Sequence, residues 1–236
     1  MAHIIDQLSV FFPSYNEEGN VETTVNKAKT VLEKIAREWE IIIVNDGSKD
    51  KTGEIADRLA KTDKRIRVIH LNPNRGYGGA FKAGFYAARY SWITFTDADG
   101  QFDFSEVTNF IEKQRQTKAD LVIGYYKKRQ VSKFKILTSR MWELAVLMLF
   151  GLLVRDIDCG FKFVSKKVID TIPKLEAERG AFISSEFLIK ARKKGFKIVE
   201  IPITHYPRMK GEGTGRHIRV IMQSFVDLFR LYFKLR

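Results

Sequence analysis

The chain has 236 residues, 44% of them hydrophobic, and 41 Lys and Arg against 28 Asp and Glu give it a formal net charge of +13. That size holds one large α/β domain with a real core and argues against a second independent domain, while the charge calls for an anionic partner: nucleic acid, a phosphate-rich substrate or an acidic membrane surface. A single cysteine, Cys159, excludes an intrachain disulfide framework and a cysteine zinc site; it fits a reducing compartment and reads as a small buried apolar residue. No basic-then-apolar leader precedes Leu8, so the expected location is the cytoplasm, peripheral to the membrane.

In chain order, Leu8 to Phe12 is a short apolar run ended by Pro13, which suits a buried parallel strand. The loop PSYNEEGN follows, then a helix from about Val21 to Trp39, with Val21, Val25, Ala28, Leu32, Ile35, Ala36 and Trp39 on one core-facing side. A second strand, Ile41 to Val44, leads into NDGSKDKT and a helix containing Ile55, Ala56 and Leu59. A third, Ile66 to Leu71, leads into NPNRGYGGAFKAG and a helix near Ala80 to Arg89, and a fourth runs from Trp92 to Thr96. Beyond it the sequence predicts a helix over Phe104 to Gln116, a strand over Leu121 to Gly124 and a basic loop to Arg140. The apolar stretch Met141 to Val154 has only 14 residues, short of the ~20 that span a bilayer as a helix, and reads as a core or interfacial helix. Strand character resumes in VRDIDCGFKFVSKK, followed by a helix over Ser184 to Lys194, a last strand over Lys197 to Ile203, the loop HYPRMKGEGTGRH and a final helix. Alternating strands and helices argue a mostly parallel sheet covered on both faces. The expected division is one domain over 1–216 and a C-terminal amphipathic helix over 217–236.

Ligands in such sheets sit outside the carboxyl ends of strands. The strand ending at Thr96 runs into FTDADGQF, where Asp97, Asp99 and Gln101 offer the oxygen ligands that a hard cation such as Mg takes, the rest coming from phosphate and water. After the first strand, Pro13, Tyr15, Asn16 and Glu17 supply a flat ring and hydrogen-bonding groups for a nucleobase and ribose, and Asp46 after the second can accept from a base N–H or a ribose hydroxyl. The glycine-rich loop Asn72 to Gly79 lets backbone amides, Gly76 among them, approach phosphate, and Arg75 adds a bidentate charge. GYGG is not a Gly-x-Gly-x-x-Gly fingerprint and no Gly-Lys-Ser/Thr is present, which argues against dehydrogenase and P-loop readings. No nucleic-acid-binding motif accompanies the charge, so nucleic acid is not the expected partner.

PSYNEEGN, IIIVNDGSKDKT, NRGYGGAFKAG, TDADGQ and RDIDCGFK together resemble a family-2 glycosyltransferase of GT-A fold, on the branch of the dolichyl- or polyprenyl-phosphate mannosyl- and glucosyltransferases. The resemblance covers roughly Leu8 to Arg216. It implies a Rossmann-like sheet, a UDP- or GDP-sugar donor, Mg or Mn as cofactor, and inversion at the anomeric carbon. Carried onto this chain, Pro13, Tyr15, Glu17 and Asp46 hold the base, and Asp97, Asp99 and Gln101 hold metal and diphosphate. The resemblance also places acceptor-phosphate contacts after the fifth strand and an arginine near the tail loop, a position that Arg208 fits. Where the mannosyltransferases show Gly-Ser-Arg-Tyr, this chain has Gly-Tyr-Tyr-Lys at Gly124 to Lys127, and the next expected arginine falls on Lys135. The acceptor set is therefore Lys127, Arg129, Lys135, Ser139 and Arg140, with lysine keeping the charge but losing the planar fork.

A hydroxyl acceptor demands a general base, for which Glu186 and Asp156 are candidates, whereas a phosphate monoester, with a second pKa of about 6, arrives ionised. The favoured reading is hexose transfer to a polyprenyl phosphate at the membrane surface. The alternatives are a soluble or glycan hydroxyl acceptor, and a nucleotidyltransferase or non-catalytic nucleotide-sugar binder. The last helix carries Arg219, Gln223, Asp227, Arg230 and Lys234 on one stripe and apolar residues elsewhere. That pattern suits the interface of an anionic leaflet, or packing against its own domain, a second copy or a membrane subunit.

Overall fold

A computed structural model of the chain describes residues 3–127, 133–178, 180, 182–207 and 218–235, with the backbone alone described at 133–137 and 218–222. Seven strands, β1 (Ile5–Ser14), β2 (Ala36–Asn45), β3 (Ile66–His70), β4 (Trp92–Phe95), β5 (Leu121–Tyr126), β6 (Lys162–Ser165) and β7 (Ile198–Ile203), form one sheet in the order β3-β2-β1-β4-β6-β5-β7. Its helices are α1 (Val21–Ile35), α2 (Thr52–Thr62), α3 (Tyr77–Ala87), α4 (Val107–Thr117), α5 (Lys133–Phe150), α6 (Lys166–Thr171), α7 (Phe182–Lys193) and α8 (Ile218–Lys234). The mixed α/β architecture expected from the alternation is the one observed.

Side chains alternate across each strand, so every strand feeds two cores. Phe11, Ile42, Val44 and Phe95 face α3, α5, α7 and α8, while Val10, Phe12, Ile41 and Ile43 face α1, α2 and α4. On the first face Phe11 stacks on Phe95 at 5.0 Å, and Phe81, Phe85 and Phe187 close around them. Gly84 makes this fit possible, because a methyl at its Cα would enter the Phe11 ring. Each buried phenylalanine contributes roughly 1.5–3 kcal/mol by removal of its surface from water.

The strand expected in VRDIDCGFKFVSKK is confined to Lys162–Ser165 and gives way to the helix Lys166–Thr171, and two further boundary differences move named residues into another element. The helix α1 ends at Ile35, and Ala36 and Trp39 belong to β2, whose ten residues pair with β1 from Ile5↔Ala36 to Ser14↔Asn45. Trp39 satisfies both patterns, lying at helical spacing from Ile35 and at strand spacing from Ile41. The apolar helix runs from Lys133 to Phe150, so Lys135, Ser139 and Arg140 stand on a helix instead of a basic loop. Gly151, at φ +65, ends it in the left-handed conformation that glycine adopts freely.

One strand runs against the others: β6 is antiparallel to both β4 and β5. Its amino end therefore lies at the same sheet edge as the carboxyl ends of β1, β2 and β4. That brings RDIDCGFK to the edge where TDADGQ emerges. The last helix is integral to the core, with Leu228 and Leu231 buried against the first-face cluster. Among the described residues no helix is long and apolar enough to cross a membrane.

Candidate functional site

The loops leaving β1 and β2 are laced together. Asn16 N donates to Ser48 Oγ (3.0 Å), Glu17 N to Thr52 Oγ1 (2.7 Å) and Glu18 N to Asp50 Oδ2 (3.1 Å), while Lys49 N and Lys51 N donate back to Asn16 Oδ1 (2.9 Å) and Glu18 Oε2 (3.0 Å). Asn16 sits at φ 54, a conformation that asparagine tolerates better than most side chains. Tyr15 projects from this platform, 38% exposed, while Glu17 is buried and accepts from Asn20 Nδ2 at 2.8 Å. Pro13 is inside β1, opposite Val44, and buried. The β1–β4 pairing stops at Phe11↔Phe95, so a residue without an N–H costs no rung there. Pro13 thus supports the loop from below.

Asp46, buried at the carboxyl end of β2, accepts from Arg75 N at 2.7 Å, and its own carbonyl accepts from Asn74 Nδ2 at 2.6 Å. Burial raises its carboxyl above the usual range, against the lowering effect of the bond from Arg75. The loop predicted to offer amides to phosphate is spent internally: Arg75 N goes to Asp46, Gly76 N to Asn74 Oδ1 (3.1 Å) and Gly79 N to Glu178 O (3.0 Å). Gly76, at φ 75, turns the chain into α3, and the Arg75 guanidinium pairs with the Glu178 carboxylate. Both therefore act as fixtures of the loop in this structure.

The carboxylate turn follows β4. Asp99, 6% exposed, accepts from Gln101 N at 3.0 Å. Desolvation pushes Asp97 up to about 7; the charges of Asp99 and Glu17 add to the rise, and a hydrogen bond from Tyr77 and the charge of Lys162 work against it. The charges of Asp97, Asp99 and Glu17 thus act on one another where β1 and β4 end. Gln101 is used differently from expectation: its Nε2 donates to Tyr206 O (3.0 Å) and its carbonyl accepts from Tyr206 N (2.9 Å), which ties the turn to the start of the tail loop. Among the described residues, no three or more His, Cys, Asp or Glu side chains close into a preformed metal cage.

Residues to which the sequence reading gave no role at the site lie around Asp97. A methyl at Gly160 would meet Asp97 Oδ2 at 2.6 Å, so only glycine leaves that carboxylate its room. Beside it Cys159 is wholly buried, its thiol pushed up to about 12 by desolvation. Lys162, in the same motif, is also wholly buried. The available cue was the density of RDIDCGFK itself, four charges and a glycine in one short stretch.

Of the acceptor set, Lys127 is exposed at the end of β5, and Ser139 and Arg140 lie on α5, Arg140 exposed. Arg129 and Arg208 lie outside the described residues, as does the side chain of Lys135. Phe102, Tyr126 and His205 gather near this end, with Tyr126 and His205 at 4.5 Å and Phe102 and His205 at 5.6 Å. Glu186 does not serve as a base in this geometry. It is 1% exposed, accepts from Glu176 N (2.9 Å) and Ala177 N (2.8 Å), and forms an ion pair with Lys190 at 2.5 Å. A carboxylate so occupied anchors the 174–178 segment. A cavity of about 390 Å³ beside that segment, lined by Phe182, Asp227, Arg230 and Lys234, lies away from the carboxylate turn.

Residues 9–172 match the sequence profile of Glycosyl transferase family 2. The chain belongs to that family. This family-2 domain is 34% identical over 221 residues to a dolichyl-phosphate beta-glucosyltransferase of Saccharomyces cerevisiae, covering 84% of this chain and 66% of the relative. It is 30% identical over 235 residues to glycosyltransferase AglD of Haloferax volcanii, covering 97% and 37%. To an undecaprenyl-phosphate 4-deoxy-4-formamido-L-arabinose transferase of Salmonella choleraesuis it is 29% identical over 218 residues, covering 92% and 65%. The chain thus spans between 37% and 66% of these relatives' lengths. In fold it superposes on glucosyl-3-phosphoglycerate synthase of Mycobacterium tuberculosis, solved with Mn2+, UDP and glucosyl-3-phosphoglycerate, at TM-score 0.74 and 18% identity over 96% of this chain and 80% of that one. The family-2 domain has the GT-A fold.

Proposed function

We propose that this family-2 domain is an inverting transferase that moves a hexose from a UDP- or GDP-sugar to a polyprenyl phosphate at the membrane surface. The observation that carries the reading is the desolvated acid cluster of Asp97, Asp99 and Glu17 at the sheet edge, on a domain that also displays apolar ridges beside surplus cations. In this reading Tyr15 and Asp46 hold the base and ribose. The donor set suits Mg or Mn: two hard carboxylates on one turn, with space kept beside Asp97 by Gly160. Asp97 and Asp99 would hold the ion, which when bound supplies positive charge to the departing diphosphate.

In the reaction proposed, an oxygen of the lipid phosphate attacks the anomeric carbon from the face opposite the nucleotide, and the bond from that carbon to the diphosphate breaks with its electron pair on the leaving oxygen. An ionised phosphate needs no proton removed, which accords with the engagement of Glu186 by Lys190. Lys127 and Arg140, with Lys135, Ser139, Arg129 and Arg208 as the further members of the set, offset the negative charge that gathers when acceptor and diphosphate meet.

For the membrane, α5 and α8 lie side by side, with Trp142 against Phe225 at 5.0 Å and Phe150 against Tyr232 at 5.8 Å. Each shows an exposed apolar ridge at the same spacing: Met141, Leu144 and Met148 on α5, and Val226, Phe229 and Phe233 on α8. Such ridges flanked by Arg140, Arg230 and Lys234 suit an anionic leaflet. The three relatives named above include two whose names specify a lipid-phosphate acceptor.

The test is a transfer assay with UDP- and GDP-hexoses, comparing a polyprenyl phosphate with its dephosphorylated alcohol. Transfer to the phosphate and none to the alcohol is expected. Equal use of the alcohol overturns the ionised-nucleophile mechanism and favours a hydroxyl acceptor.

A further inference from the structure

Lys162 is wholly buried in a central strand, and among the described residues no carboxylate lies within ion-pair distance of its ammonium. Its Nζ donates to Cys159 O and lies 5.5 Å from the centre of the Phe95 ring. An ammonium taken out of water with one neutral partner is costly, and such a group persists where fixed negative charge nearby offsets the loss of hydration. The antiparallel register supplies that charge. Lys162 stands opposite Phe95, two residues before Asp97, and Gly160, two residues before Lys162, packs against the Asp97 carboxylate. Asp156, 2% exposed, belongs to the same motif. Burial lowers the Lys162 pKa, while Asp158, Asp156 and Asp97 act to keep it charged.

We propose that Lys162 is a positioning residue, an internal counter-cation that offsets the carboxylate charge of Asp97 and Asp156 when no divalent ion is bound and that opposes the ion when it arrives. The inference rests on the reading of Asp97 and Asp99 as metal carboxylates. It separates two quantities that a purely structural lysine would move together. Removing the charge leaves those acids without their offsetting cation, so the metal-free protein loses stability. The same removal takes away a repulsion, so a divalent ion binds more tightly.

The experiment compares wild type with Lys162→Met, which keeps the length and loses the charge. Thermal unfolding is followed in EDTA, and Mn2+ alone is titrated by electron paramagnetic resonance. A lower Tm in EDTA together with Mn2+ binding at least about fivefold tighter is expected, the scale of one unit charge acting on a divalent ion through protein. Unchanged or weaker Mn2+ binding by Lys162→Met overturns the proposal. Should the variant be recovered only with Mn2+ present and unfold on chelation, the ion has replaced the lysine, which supports it. Should Lys162→Met fail to fold under both conditions, Lys162→Gln, which can keep the bond to Cys159 O, is titrated instead, with the same pair of signs expected and unchanged Mn2+ affinity again fatal. A wild type that binds no Mn2+ removes the metal reading itself and this inference with it, whereas normal wild-type binding with an indifferent variant removes the inference alone.

Discussion

Where β1 and β2 end, five hydrogen bonds between backbone and side chain lace two loops into one platform, and Asp46 holds a third loop through Arg75 N. Where α5 and α8 lie, the surface carries Met148 at 73% exposure and Phe233 at 70%, beside the cations Arg230 and Lys234, which among the described residues pair only with the surface carboxylates of Asp227 and Glu176. In the proposed reading the first region binds a part common to all nucleotide sugars, so its geometry can be fixed in advance. In the same reading the second meets a partner outside the chain, and its exposed apolar and basic groups are at the surface. A reading in which one end is built rigid and the other left sticky can be broken at either end.

The largest effect is expected at the carboxylate turn. Asp99→Ala should abolish transfer, a loss of at least about a hundredfold, while Tm moves by less than about 2 °C, because in the proposed reading the group lost is a ligand, and it belongs to neither core. Retained turnover, or turnover indifferent to excess chelator, would remove the metal from the mechanism. Next is Asp46→Ala, which should weaken nucleoside diphosphate binding roughly ten- to a hundredfold, the scale of hydrogen bonds to a charged group. Calorimetry with UDP and GDP in Mg2+ measures it, and absence of binding by the wild type would deny the donor site.

The rigid end was legible in the sequence because its parts are local. Each of β1 to β4 ends in a loop whose polar residues follow directly, so strand order and ligand type can be read without knowing any distant contact. Three things were not legible. Trp39 fits a helix and a strand equally, and only pairing with Leu8 decides between them. The direction of β6 leaves no trace in a four-residue run, KFVS, yet that direction carries Gly160 and Lys162 to Asp97. Glu186 looked available as a base because, although Lys190 stands one helical turn along in FISSEFLIK, nothing there reveals that the backbone amides of Glu176 and Ala177 converge on it as well. At the other end, the amphipathic pattern of α8 was plain, but not that Leu228 and Leu231 fasten one side of it to the core while Phe229 and Phe233 stay outside.

Two smaller effects sharpen the contrast. Phe229→Glu with Phe233→Glu should weaken binding to anionic vesicles roughly tenfold and leave nucleotide binding unchanged, since both rings are exposed and neither core loses contact. Nucleotide binding that falls in parallel would mean the two regions are not independent. The smallest effect concerns a site in neither region. Asp63 is held well below the usual carboxylate range by hydrogen bonds from Arg65 and Lys29. A depressed folded-state pKa contributes stability above the unfolded value of about 4 that is lost as pH falls. Asp63→Asn should therefore cost about 1 kcal/mol at pH 7, reduced from the full linkage value by the exposure of Arg65, and less on acidification; a deficit that grows toward low pH would contradict the assignment.

Cys159 gives the experimenter a chemically silent background. The only cysteine of the chain is wholly enclosed, and its thiol, pushed up to about 12, supplies almost no thiolate to a maleimide or a disulfide reagent at neutral pH. A cysteine placed on an exposed ridge residue such as Met148 or Phe233 therefore takes a spin label or fluorophore alone, with the native residue left in place. Depth-dependent quenching of that label in a bilayer then gives the immersion of each helix directly, one position at a time.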